Sequence, residues 1–149
     1  MISPHSELAD PGMTGRAFEQ GLPVFYRLAQ SLPAAGERLS FPWLVVVSWA
    51  YDGSGDDGMP SAADNLRMFE LEDLIEDEVA SPNSLRHVYS RTGNHLKELV
   101  YYLRNRDEFL FRFNQVMSGQ PRYPITLHFF EDEEWQDYRE LLAAFDSRH

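Results

Sequence analysis

Apolar positions recur along this chain with two different periods, and the switches between them mark out its elements. Leu22 to Ala29 reads LPVFYRLA and is rich in strand formers. Arg16 to Glu19 can pair with it across a turn at Gly21. Phe41 to Tyr51, FPWLVVVSWAY, is apolar on both faces and predicts a strand in the middle of a sheet. Leu32 to Ser40, with Pro33 and Gly36, reads as a loop, and so does DGSGDDG from Asp52 to Gly58.

A helix follows. Met68, Leu71, Ile75 and Val79 recur at helical spacing behind Pro60 and a Ser61–Asp64 capping pair, and Ser81-Pro82-Asn83 ends the run. Leu85 to Thr92 and His95 to Leu103 predict a hairpin turning at Gly93-Asn94. Asn105 and Glu108 cap a second helix, whose apolar set is Phe109, Leu110, Phe113, Val116 and Met117 and which closes at Gly119. Tyr123 to Phe130 is a further strand. A last helix opens on Asp132, Glu133 and Glu134 and turns Trp135, Tyr138, Leu142 and Phe145 to one side.

From residue 41 onward the order is strand, helix, strand, strand, helix, strand, helix. The first six elements spell a ferredoxin-like βαββαβ unit. The expectation is an α+β domain with a mainly antiparallel sheet, helices on one face, an N-terminal hairpin on the sheet edge and an extra C-terminal helix. Residues 1–13 hold Pro4, Pro11 and Gly12 without any period and predict a flexible tail; 14–149 predict one domain.

Composition narrows the class. The chain has 149 residues, 43% hydrophobic and 13% aromatic, which suits one domain with a packed core. Its longest apolar run, Trp43 to Val47, falls far short of the roughly 18 residues that a membrane helix needs. The start, MISPHSELADPG, has neither the basic beginning nor the apolar stretch of a secretory signal, so a cytoplasmic location is expected. There is no cysteine, which excludes disulfides, thiolate zinc sites and cysteine nucleophiles.

Charge changes the picture most. The net charge is −11 and the pI about 4.7. Nucleic-acid binding draws on cationic contacts to phosphates, so this balance opposes it and favours a basic protein partner. The charge is also uneven. Asp56, Asp57, Asp64, Glu70, Glu72, Asp73, Glu76, Asp77 and Glu78 face one base, Arg67, and Glu131 to Glu140 forms a second acidic block. On the first helix Glu70, Asp73 and Asp77 share the side opposite the apolar stripe, where each carboxylate can take a bidentate arginine. Together with Asp56 and Asp57 of the preceding loop they are the candidate partner-binding residues.

No catalytic motif stands out. His87, His95 and His128 fall in different strands with no helical ligand spacing such as HExxH, so no metal is expected. DGSGDDG lacks the register and closing glutamate of a calcium loop and the spacing of a phosphate loop. No GxSxG elbow occurs, and no cofactor is implied. Trp43, Trp49, Tyr51, Tyr89, Tyr101 and Phe129 could stack RNA bases on an open sheet face, but the charge and the missing RNP motif argue against it. Tyr101, Trp135 and Tyr138 read as core.

Several short motifs carry a family resemblance. They are LPVFYRL near the start, Ser48-Trp49-Ala50-Tyr51, Gly58-Met59-Pro60, Arg91-Thr92-Gly93-Asn94 with Glu98-Leu99-Val100-Tyr101-Tyr102, and Asp132-Glu133-Glu134-Trp135 with Tyr138. From about Phe18 onward the chain resembles the bacterial domain-of-unknown-function family numbered six hundred and ninety-five, which more usually has proline where Glu133 stands. The resemblance brings no catalytic residues. The family looks distantly similar to a small acidic ferredoxin-like protein that inhibits a ribonuclease, and small acidic bacterial domains often serve as immunity proteins. The expected function is therefore a non-catalytic inhibitor or immunity-type module that blocks a basic partner protein. The alternatives are a regulator that binds a ribonuclease in RNA processing, or a small enzyme or ligand-binding domain centred on Thr92, Asn94 and Glu98.

Overall fold

Strand formers put every strand among the described residues into one antiparallel sheet. The computed structural model describes residues 13–29, 31–81 and 83–146. Of the predicted tail 1–13, Met13 instead opens β1, and residues 1–12, with His5, lie outside the described residues, as does His149. The strands are β1 (Met13–Glu19), β2 (Leu22–Leu28), β3 (Trp43–Ala50), β4 (Leu85–Gly93), β5 (Leu96–Leu103) and β6 (Ile125–Glu131). Their order is β1-β2-β4-β5-β3-β6, and every neighbouring pair is antiparallel. The N-terminal hairpin lengthens the sheet through β2 against β4 and does not cover its face.

The helices are α1 (Ala35–Ser40), α2 (Ala62–Leu74), α3 (Arg106–Met117) and α4 (Gln136–Asp146), and α2 runs on into a π-helical turn, Ile75–Val79. Odd-numbered residues of β3 and β5 meet the first two long helices. Val45, Val47, Leu99, Tyr101 and Leu103 pack with Met68, Leu71, Ile75 and Val79 and with Phe109 and Phe113. Arg112 of α3 closes the π turn, donating to the carbonyls of Val79 (2.6 Å) and Glu78 (3.0 Å).

Two expectations are corrected. The helices do not share one face. Leu44, Val100 and Tyr102 point the other way and pack with Trp135 and Tyr138, so α4 and the chain leading into it cover the opposite side. An apolar stripe tells a helix to be buried and does not say against which face. The stretch taken as a loop, 32–40, contains the short helix α1; none of its residues is buried, so it left no period to read.

The β4–β5 turn also sits one residue later than predicted. Asn94 (φ 48°) and His95 (φ 66°) are both left-handed, as a two-residue hairpin turn requires. Gly93 has a separate task. A Cβ there would lie 2.4 Å from the Pro23 carbonyl oxygen and 2.7 Å from Val24 Cα, and its φ is +150°. Gly93→Ala should therefore cost about 2–3 kcal/mol through strand displacement and backbone strain. The check is a lower urea midpoint at an unchanged m-value.

Candidate functional site

Helix α2 carries most of the ionisable chemistry, and its start is well fixed. Ser61 caps it, its hydroxyl accepting from the Asp64 amide at 3.1 Å. With Met68, Leu71, Ile75 and Val79 turned into the core, helical geometry sends Glu70, Asp73 and Asp77 outward, and all three are exposed. They line an open depression of about 330 Å³ with Leu74, Glu78, Gln120 and Tyr123. Among the described residues the ion pairs join Arg27, Arg86, His87, Arg91 and Arg106 to other acids, and none includes Glu70, Asp73 or Asp77. Leu66, 62% exposed, continues the outer surface of α2 toward its N-terminus.

Asp56 and Asp57 are exposed too, but they do not line this depression. Their loop is closed by Gly58 N–H to Gly53 O (2.8 Å) and tied to the β4–β5 turn. There the Gly53 amide donates to His95 Nδ1 at 3.1 Å and the His95 amide to Gly58 O at 3.0 Å. Tyr51 adds its hydroxyl to the Gly58 carbonyl at 2.6 Å. The loop aspartates are thus held near the N-terminal end of α2, with most of the helix between them and Asp77.

The inner flank of α2 holds what the sequence reading missed. Glu72, only 6% exposed, forms an ion pair with Arg27 of β2. His87 Nδ1 lies 3.7 Å from Glu72 Oε2 and 3.6 Å from Glu76 Oε1. The imidazole stacks on Tyr101, its partner across β4–β5, with ring centroids 4.6 Å apart. Glu72 Oε1, His87 Nε2 and the Tyr101 hydroxyl are buried with no hydrogen-bond partner among the described residues. The His87 imidazole beside it holds the Glu76 carboxyl below the usual glutamate range, against partial burial. Burial raises the Tyr101 hydroxyl, and the charges of Glu76 and Glu72 add to the effect. Glu72 and Glu76 belong to an acidic run that reads as solvated. Only the sheet register brings His87 under them.

Next to this cluster a groove of about 230 Å³ lies between α2 and the N-terminal hairpin, with Phe25, Phe69, Thr92 and Lys97 among its lining residues. Lys97 is 6% exposed, and burial lowers its pKa against the opposing charge of Glu72. Thr92 pairs with Lys97 and Glu98 with Arg91, so Thr92 and Glu98 point to opposite faces of the sheet and do not converge. Burial raises the Glu98 carboxyl, with Arg91 4.0 Å away opposing it.

The three strand histidines are not brought together either. His128 of β6 is opposite Val46 and His87 of β4 opposite Tyr101, which leaves two strands between them, about 14 Å at the usual strand spacing. His95 is in the turn. Of the six aromatics considered as a base-stacking platform, Trp49, Tyr51 and Tyr101 are in one core and Tyr89 in the other, while Trp43 and Phe129 pack against the first. Trp135 and Tyr138 are fully buried. Among the described residues no helix is long and apolar enough to cross a membrane.

The family model for DUF695, a family of unknown function, matches residues 19–143. No curated protein and no solved structure matches the chain.

Proposed function

Since the chain belongs to the DUF695 family, which carries no assigned function, we propose its role from the chemistry of its own surface. It is a non-catalytic inhibitor or immunity-type module that blocks a basic partner protein through the outer face of α2. One observation carries this reading: Glu70, Asp73 and Asp77 are exposed together around one depression, outside every ion pair among the described residues. Unpaired carboxylates on a rigid helix keep their full capacity for arginine and lysine. The neighbouring Leu66 supplies apolar contact that a charged patch alone lacks.

The proposal includes a ferredoxin-like unit running from β3 to β6. The order β4-β5-β3-β6 and the shared face of α2 and α3 support it. It also includes a cytoplasmic location. Asp56 and Asp57 serve as a second, outlying contact at the N-terminal end of α2.

Capture from native lysate tests the reading. The immobilised domain should retain one basic protein at low salt and release it as salt rises, because exposed charge pairs are screened within about a 10 Å Debye length at 0.1 M. The captured protein's identity, a toxin or a ribonuclease, then separates an immunity role from a role in RNA processing. Retention that is indifferent to salt would contradict the charge-led mechanism.

A further inference from the structure

We propose that Glu72, Glu76 and His87 form a binding site for a divalent transition ion of the zinc type, a property separate from the acidic outer face. One ligand atom of each lies within 4.8 Å of the others. Tetrahedral ligands at about 2.0–2.1 Å from zinc stand roughly 3.3 Å apart. The separations of 3.6 and 3.7 Å from His87 Nδ1 to the two carboxylates need a few tenths of an ångström of closure, and the two carboxylates, within 4.8 Å of each other, need at most about 1.5 Å. The tighter octahedral shell of magnesium, and the all-oxygen shell of calcium, fit this donor set less well.

Three further observations point to a ligand here. The Tyr101 hydroxyl, from a fully buried residue that contributes no ligand and stacks on His87, has no hydrogen-bond partner among the described residues. Glu72 Oε2, the oxygen facing His87, is also held by Arg27, the kind of outer partner that fixes a ligating carboxylate, and Glu72 Oε1 is buried with no hydrogen-bond partner among the described residues. Glu76, with 40% of its side chain exposed, leaves one side of the cluster open for a water or an exchangeable ligand. Two backbone irregularities also frame the site: the π turn that carries Glu76, and a register shift between His87 and Tyr89 in β4. Both kinds of irregularity are over-represented at functional sites.

Titration calorimetry of the full chain with zinc chloride tests this, with magnesium and calcium chloride as controls. One zinc per chain is expected, at or below about 10 μM. Glu76→Gln and His87→Asn should each weaken it at least about tenfold, while His128→Gln leaves it unchanged. Glu72→Gln leaves Arg27 unpaired and risks the fold, so the two other variants decide. X-ray absorption at the zinc edge should show one imidazole among oxygen ligands. No zinc binding by the wild-type chain, binding that both variants leave within about twofold, or a shell of several imidazoles would overturn the proposal.

Discussion

Trp135→Ala is expected to cost the fold about 3–5 kcal/mol, the largest loss of any single substitution considered. Trp135 is fully buried and lies flat on Tyr102, with ring centroids 4.1 Å apart and an interplanar angle of 5°. Its indole N–H donates to the Phe41 carbonyl at 2.9 Å and to that of Arg38 at 3.2 Å. One side chain therefore ties the end of α1 to the start of α4 and closes the second core. Trp135 has a φ of 58°, a region that costs a bulky residue of order 1–3 kcal/mol and persists only where packing outweighs it. Asp132 holds the same junction. Its carboxylate accepts from the amides of Gln136 (2.7 Å) and Asp137 (3.0 Å) and from the Tyr102 hydroxyl (2.6 Å).

The alanine variant loses the stacking, takes the indole donor from the Phe41 carbonyl, leaves the Arg38 carbonyl with the Phe41 amide alone, and opens a cavity. Trp135→Phe keeps most of the stacking and loses only the hydrogen bonds, so it should cost about 1–2 kcal/mol. Urea unfolding of both variants gives the check. Equal losses for the two would mean that the indole's bulk contributes little.

Reversing Glu70, Asp73 and Asp77 to lysine should weaken partner capture by about 100-fold or more. Each exposed charge pair contributes about 0.5 kcal/mol, and turning three from attraction to repulsion counts each about twice, about 3 kcal/mol in all. Neutralising the same three to Gln, Asn and Asn should cost about tenfold. Stability should hold, because these side chains are exposed and like charges three and four residues apart on a helix repel by a few tenths of a kcal/mol. A binding loss at unchanged melting temperature separates a contact role from a folding role.

Much of the architecture is readable from local pattern. The stripe Met68, Leu71, Ile75 and Val79 is buried as its spacing requires, and Ser61 and Asn105 cap the helices they precede. The doubly apolar β3 is an interior strand, with β5 on one side and the edge strand β6 on the other. The exposure of Glu70, Asp73 and Asp77 follows from the same helical spacing. What escaped was non-local. The side on which α4 packs is set by Trp135 meeting Tyr102, residues far apart in sequence. The expected start of that helix at Asp132 is really its cap, since Trp135 must first pass through a left-handed turn. The cluster of Glu72, Glu76 and His87 depends on strand register and on the shift after His87, and no spacing in the sequence encodes it. The turn at Asn94-His95 escaped because Gly93 is the stronger turn signal, whereas its true constraint is the close approach of Pro23.

The most direct measurement is the affinity of the captured partner for the wild-type domain and for E70K/D73K/D77K, each at low and at high salt. The proposed mechanism predicts tight, salt-sensitive binding by the wild type, and at least about 100-fold weaker binding by the folded variant at low salt, with the gap narrowing as salt rises. Equal affinities for the two proteins would place the partner surface elsewhere and contradict the assignment of function to the outer face of α2.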